Sequence, residues 1–141
     1  MTGQWSGVKP SGDKGMNKID YAVDHEGLLI SPNIHDFELR RMEFEGQRAA
    51  LFLAPPLKQV SLVIHIDRVD RIAYVSDTVQ NVIYDAYLFI SDQDNLPICA
   101  KAKDMLRRQR PLSPREILLY LQPAAGIEFA VIGAAIAFNV I

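Results

Sequence analysis

The sequence predicts an α+β protein: a single domain, mainly antiparallel β-sheet arranged as a meander, with one main helix packed on it. Three observations carry that expectation. Extended runs of alternating apolar residues recur along the chain, the clearest over residues 59–67. Proline, glycine and Asx-rich breaks separate these runs at short intervals. One run alone, residues 98–109, repeats its apolar residues with a helical period.

In residues 59–67, Val60, Leu62, Ile64 and Ile66 occupy one face of an extended chain, and Ser61, Val63, His65 and Asp67 the other, because strand side chains alternate. Similar runs on either side make it an inner strand. Before it, residues 1–18 are rich in glycine and serine and read as a flexible tail, with Trp5 the residue able to tether it; the domain spans 19–141. Residues 19–26 suggest a short helical turn or irregular entry, and Leu28 to Ile30 a first strand ended by Pro32. Along residues 34–45, Phe37 and Leu39 share one phase and Met42 and Phe44 the other, so a bulge near Arg40 and Arg41 is expected to bring all four to the core. A turn at Gly46 returns the chain as residues 48–54, which Pro55 and Pro56 terminate.

Residues 72–75 form a short extended piece, and Ser76 to Thr78 a polar turn. Residues 81–90 read as a central strand. Val82, Tyr84, Ala86, Leu88 and Ile90 face one way, and Ile83, Asp85, Tyr87 and Phe89 the other. Apolar residues on both faces call for a covering layer. The helix at 98–109 supplies it through Ile98, Ala102, Met105 and Leu106. Ser113, Pro114 and Glu116 match a helix-capping pattern, yet the apolar run after them is short. It is read as a strand pairing with residues 128–138 through a turn at 123–126, with a short helix over 113–121 as the competing reading.

Composition excludes several function classes. Of 141 residues, 49% are hydrophobic and 23% charged, with a net charge of -2, an ordinary globular balance. No overall basic field favours a nucleic acid partner. The local exception, Arg107, Arg108 and Arg110, is read as a solvated helix end whose cations complement the helix dipole. The single cysteine, Cys99, is read as a small buried apolar residue. No secretory leader is visible, and the apolar stretch 127–141 is shorter than the roughly 20 residues of a spanning helix. A cytoplasmic protein with no membrane partner is expected. No dinucleotide, phosphate-loop or hydrolase-elbow motif is present, so no cofactor and no enzymatic role are expected.

The polar residues singled out as a candidate site are His35, Asp36, His65, Asp67, Asn81 and Asp85. His65 and Asp67 share a strand face, and His35 and Asp36 add nitrogen and oxygen donors. A metal would need three or four of these groups to converge. Asp85, placed among Ile83, Tyr87 and Phe89, must be paired or titrate high, and a structural partner is the simpler reading.

Three short pieces together carry a resemblance: Ile34-His35-Asp36 opening one strand, Asn81 to Asp85 opening a later one, and Leu121 to Gly126 preceding the last apolar strand. Their order resembles small bacterial proteins, some grouped with immunity proteins of polymorphic toxin systems. Such families often carry a serine and an aromatic residue before the late glycine, where this chain has Ala124 and Ala125. The resemblance implies a sheet-rich domain that binds and blocks a protein partner. Two alternatives stand beside it. One is a small-molecule or metal-binding protein, or a metal-assisted enzyme, using His35, His65, Asp67 and Asp85. The other is a homo-oligomer pairing through its apolar C-terminal strand.

Overall fold

The computed structural model describes residues 16–77 and 79–141. The expected tail, Trp5 included, lies outside the described residues up to residue 15. Asn17 and Lys18 do not belong to a tail: they form β1 (Asn17–Ile19). The remaining strands are β2 (Ala22–Val23), β3 (Leu29–Ser31), β4 (Glu38–Glu45), β5 (Arg48–Ala54), β6 (Leu62–Asp67), β7 (Arg71–Val75), β8 (Val82–Phe89), β9 (Ile117–Ala125), β10 (Glu128–Gly133) and β11 (Ala135–Val140), with one helix, α1 (Pro97–Met105). No helix among the described residues is long and apolar enough to cross a membrane.

All pairings are antiparallel, and the main sheet runs β1-β11-β6-β5-β4-β8-β9-β10-β7. The mainly antiparallel sheet with one helix is as expected, but it is not a single meander. It contains two, β4-β5-β6 and β8-β9-β10, linked by a bent two-stranded ribbon. β6 continues into β7 through residues 68–70, and β10 into β11 through Ala134 alone. β6 pairs with β11 at one end of the sheet and β7 with β10 at the other. The ribbon therefore belongs to both ends, and the sheet curls into a circuit closed through its own chain.

The bend has a local cause. A Cβ on Gly133 would lie 2.6 Å from Ile66 Cγ2 and 2.9 Å from the Asp67 carbonyl oxygen. Only a residue without a side chain lets the two strands cross so closely. Arg68 adopts a left-handed φ of 54°. The Val69 and Asp70 amides donate to the Gln47 and Ile132 carbonyls, each at 2.8 Å, so the corner keeps its backbone groups paired.

One core fills the inside of the curl. Alternation sends Leu51 and Leu53 of β5, Leu62, Ile64 and Ile66 of β6, Leu119 and Leu121 of β9, and Phe129 and Val131 of β10 inward. The expected bulge in β4 is present between Leu39 and Arg41. It brings Leu39 into the core and packs Phe37 and Met42 against it, whereas Phe44 stays 49% exposed. In β8 the expected faces are corrected. Register shifts between Val82 and Asp85 turn Ile83 to the side of Ala86 and Leu88, in the main core.

A second apolar layer lies outside the curl, where Phe89, Leu118, Tyr120 and Ile132 meet Cys99 and Ala102 of α1 and Leu106 just past its end. The helix ends at Met105 rather than residue 109. Arg107 takes a left-handed φ of 55°, and the Arg107 and Arg108 amides reach back to the Asp104 and Lys103 carbonyls at 3.0 and 2.9 Å, a Schellman stop. Residues 117–122 are strand, as read, and the strand continues through Pro123 to Ala125. Residues 128–138 split at Gly133 into two strands, and residues 19–26 contain β2 rather than a helical turn.

Replacing Gly133 by alanine is expected to lower unfolding stability by about 1–3 kcal/mol, the usual cost of overpacking. Gly46→Ala, where nothing lies within 4 Å and only the φ of +59° objects, is expected to cost about 1 kcal/mol. Urea titrations of the two variants check the ranking, and an equal or larger loss at Gly46 would overturn the corner assignment.

Candidate functional site

The six polar residues separate into three places. His35, Asp36 and Asp85 do come together. The Asn33 side chain accepts the His35 amide at 3.0 Å, and Asp36, with φ 67°, donates its amide to the Ile83 carbonyl at 2.8 Å. This tight turn sets the His35 ring against β8. Its Nδ1 meets the Tyr84 carbonyl and lies 3.7 Å from Asp85 Oδ1, while Nε2 lies 3.5 Å from Asp36 Oδ1. The Tyr84 ring meets the imidazole edge-on at 5.1 Å. The two carboxylates reinforce the imidazole when it is protonated. All three side chains reach solvent, at 44%, 59% and 28% exposure, where such pairs contribute less than about 1 kcal/mol. Asp85 thus stands at the flank of β8 and not in the apolar surroundings its sequence neighbours suggest. Burial raises the pKa of the Tyr87 hydroxyl, and the charges of Asp85 and Asp24 add to the shift.

His65 and Asp67 point outward from β6 and engage neighbouring strands. Asn139 of β11 places its amide nitrogen 2.8 Å from His65 Nδ1, and Arg48 of β5 lies 3.2 Å from Asp67. A shallow depression of about 790 Å³ beside this pair is lined by Glu45, Gln47, Arg48, Asp67 and Arg68. Asn81 serves the backbone: its side chain accepts the Asp77 amide at 2.7 Å and donates to the Asp77 carbonyl at 2.9 Å. The space a Cβ on Gly126 would need is taken by this turn. Among the described residues, no three His, Cys, Asp or Glu side chains are grouped to hold a metal ion.

Sequence reasoning missed a buried ionic network. Arg108, read as part of a solvated helix end, is 3% exposed. Its guanidinium spans Glu116 with bonds of 2.5 and 3.1 Å, donates to the Pro111 and Arg110 carbonyls at 3.0 and 3.1 Å, and lies 3.7 Å from Asp70 at the sheet corner. Glu116 also accepts the Ser113 amide at 2.8 Å. The Ser113–Glu116 capping pattern is therefore real, but it closes a turn into β9 rather than starting a helix. Beside it, Lys103 bonds both Asp94 oxygens at 3.0 and 2.9 Å, and Arg71 donates to the Leu106 and Arg107 carbonyls at 3.2 and 2.7 Å. Hydrogen bonds from Arg108 hold the Glu116 carboxyl down to about 2 despite its burial. Burial pushes Asp94 up, but Lys103 and the Leu112 amide outweigh it and hold this carboxyl below its ordinary value. The thiol of Cys99 is pushed up to about 11 by burial, which leaves it protonated and unreactive near neutrality.

A different surface is apolar where polar residues are expected. β4 pairs with β8 at Glu38, and among the described residues no strand pairing continues along its residues 40–45 on that side; β7 is one end of the sheet. Phe44 of β4 stacks on Tyr74 of β7 at 6.3 Å, and Tyr74 on the buried Phe129 at 6.2 Å. The stack runs from the core to the surface, and Tyr74 and Val75 are 45% and 62% exposed. The short extended piece expected at residues 72–75 is a strand, but it held no sign that it ends the sheet. Comparison with known protein families, curated proteins and solved structures finds no match to this chain.

Because the Glu116 pKa is depressed on folding, its contribution is complete above the ordinary value of 4.5 and is lost as pH falls towards 2. It amounts to at most about 3 kcal/mol over that window. Arg108→Met is expected to cost about 3–5 kcal/mol at neutral pH by stranding the carboxylate and to flatten this acid limb. Unfolding titrations across pH 2–7 measure both effects; a variant as stable as the parent at pH 7 would show the network to be dispensable.

Proposed function

We propose that the chain is a non-enzymatic protein-binding module that engages its partner at the open edge formed by β7 and the Phe44–Tyr74 stack. The observation that carries this reading is the exposure of stacked aromatic residues beside a sheet-terminal strand. Edge strands are normally blunted by charge, proline or a covering element, since their unpaired amides and carbonyls accept another strand. β4 carries such charges in Arg40, Arg41, Glu43 and Glu45. Residues 72–75 of β7 carry none, and the guanidinium of Arg71 is turned to the end of α1. An extended segment of a partner would add to β7 through its backbone and set an apolar side chain on Tyr74.

The immunity-type role implied by the resemblance is the specific form of this reading, with a toxin as the partner. The candidate polar residues support it indirectly, since each engages this chain's own side chains or backbone. β11, the strand expected to pair with a second copy, has β6 on one side and β1 on the other, and the sheet-terminal strands among the described residues are β1 and β7.

Tyr74→Lys and Val75→Lys baits are expected to lose a protein that the parent chain retains from extracts of its native host, with the thermal unfolding transition shifted little. Hydrogen exchange in β7 is expected to slow when that protein binds. Equal retention by parent and variants would remove the edge from the proposal, and no retained protein at all would count against a protein-binding role.

A further inference from the structure

We propose that the cleft between the β4–β8 junction and the loop after β5 receives an arginine side chain of a partner polypeptide. It is lined by Asp36, Glu38, Pro56, Leu57, Gln80 and Val82 around a volume of about 270 Å³. That lies below the roughly 300–1,000 Å³ of pockets that take a drug-sized ligand, so the space suits one long side chain. Its chemistry is two-sided. Pro56, Leu57 and Val82 form apolar walls, while the two carboxylates and the Gln80 amide supply acceptors. A side chain with an apolar stem and a cationic head matches both. The nearby cations, Arg40 and Lys58, do not line the cleft.

The walls are set before anything binds. Phe37 packs inward against the core, which leaves Asp36 and Glu38 outside on either side of it. The Asp36 amide is fixed to the Ile83 carbonyl at 2.8 Å, and the Leu39 amide to the Asn81 carbonyl at 2.9 Å. Arg40 holds Glu38 Oε1 with Nε at 2.9 Å and Nη2 at 2.8 Å, and Nη2 also donates to the Lys58 carbonyl at 2.8 Å. One arginine of this chain thus ties the carboxylate of one wall to the loop that forms the other, so little ordering cost falls on binding. Among the described residues, the second Glu38 oxygen carries no hydrogen bond. A planar guanidinium with five donors can bridge that oxygen and Asp36, a task to which the compact lysine ammonium is less suited.

Leu57 points to a polypeptide. Its φ of 60° lies in a backbone region unfavourable to a bulky residue. The residue is also 99% exposed, so burial within this chain gives nothing in return. Val79, on the turn that carries Gln80, is exposed as well. Apolar tips therefore flank the acidic slot, a layout that suits a side chain with neighbouring residues rather than a free ion. The contact goes beyond the β7 edge, and its test does not need the native partner.

Amide NMR spectra of the full chain, titrated with capped tripeptides carrying arginine, lysine or citrulline between two glycines, provide that test. The arginine peptide is expected to shift the Asp36, Glu38, Leu57, Gln80 and Val82 signals saturably. The lysine peptide should bind several-fold more weakly, and the neutral citrulline peptide should leave these signals in place. Glu38→Gln is expected to weaken the arginine peptide several-fold. Leu57→Gly, which keeps the left-handed turn but removes its wall, should do the same with no loss of thermal stability, which separates it from a folding defect. Agmatine, the same head group without a peptide, should bind less tightly than the arginine peptide. Equal effects of the arginine peptide and either other peptide would overturn the proposal, as would shifts centred elsewhere on the domain or unchanged binding by Leu57→Gly. Agmatine binding as tight as the peptide would give the slot to a free small cation and overturn the polypeptide assignment.

Discussion

The crossing of β10 and β6 at Gly133 is the constraint on which the architecture depends. With the Ile66 side chain and the Asp67 carbonyl within 3 Å of where a Cβ would stand, the ribbon bends and continues as β7 and β11 in a new direction. That bend lets one pair of strands serve both ends of the sheet. Without it, two three-stranded meanders would each have an apolar face and two open edges, a condition that favours association over folding. With it, their inward residues meet around one core, and among the described residues the sheet ends in β1 and β7.

The ionic network attaches the second layer to this corner. Asp70, within the bend, lies near Arg108, which holds Glu116 at the start of β9, and Arg71, one residue on, caps the end of α1. Buried ion pairs add little net stability against an apolar alternative, because desolvation offsets the attraction, but removal of one partner strands a charge. Such a network is better understood as specifying where the helix stops and where the next strand begins. It also explains why the arginine run offers no basic surface at its centre: the Arg108 side chain is 1% exposed.

Polar groups that looked available in the sequence find partners within the fold. His35 meets the Tyr84 carbonyl, His65 meets Asn139, Asp67 meets Arg48, and Asn81 clamps a turn. Among the described residues, the exposed stack of Phe44 and Tyr74 is apolar instead and lies beside a sheet-terminal strand. Binding through backbone pairing and an aromatic contact therefore suits this surface better than chemistry at a convergent polar site.

How much was legible in the sequence follows from the range of the interactions involved. Period-two alternation determined β5, β6 and the strand character of residues 117–122, because side-chain facing is a local property of extended backbone. The glycine at 46, the prolines at 55 and 56, and the phase change between Leu39 and Met42 likewise marked a turn, a stop and a bulge from neighbouring residues alone. The helix end at Met105, the turn of Ile83 to the core and the burial of Arg108 were not legible. Each depends on contacts that periodicity does not encode: Arg71 on the carbonyls just past the helix end, the β9 register for Ile83, and Glu116, eight residues on, for the guanidinium. Gly133 shows the division most clearly. Residues 128–138 read as one strand in the sequence, and only the approach of Ile66 from a strand some seventy residues earlier makes Gly133 the corner that divides it.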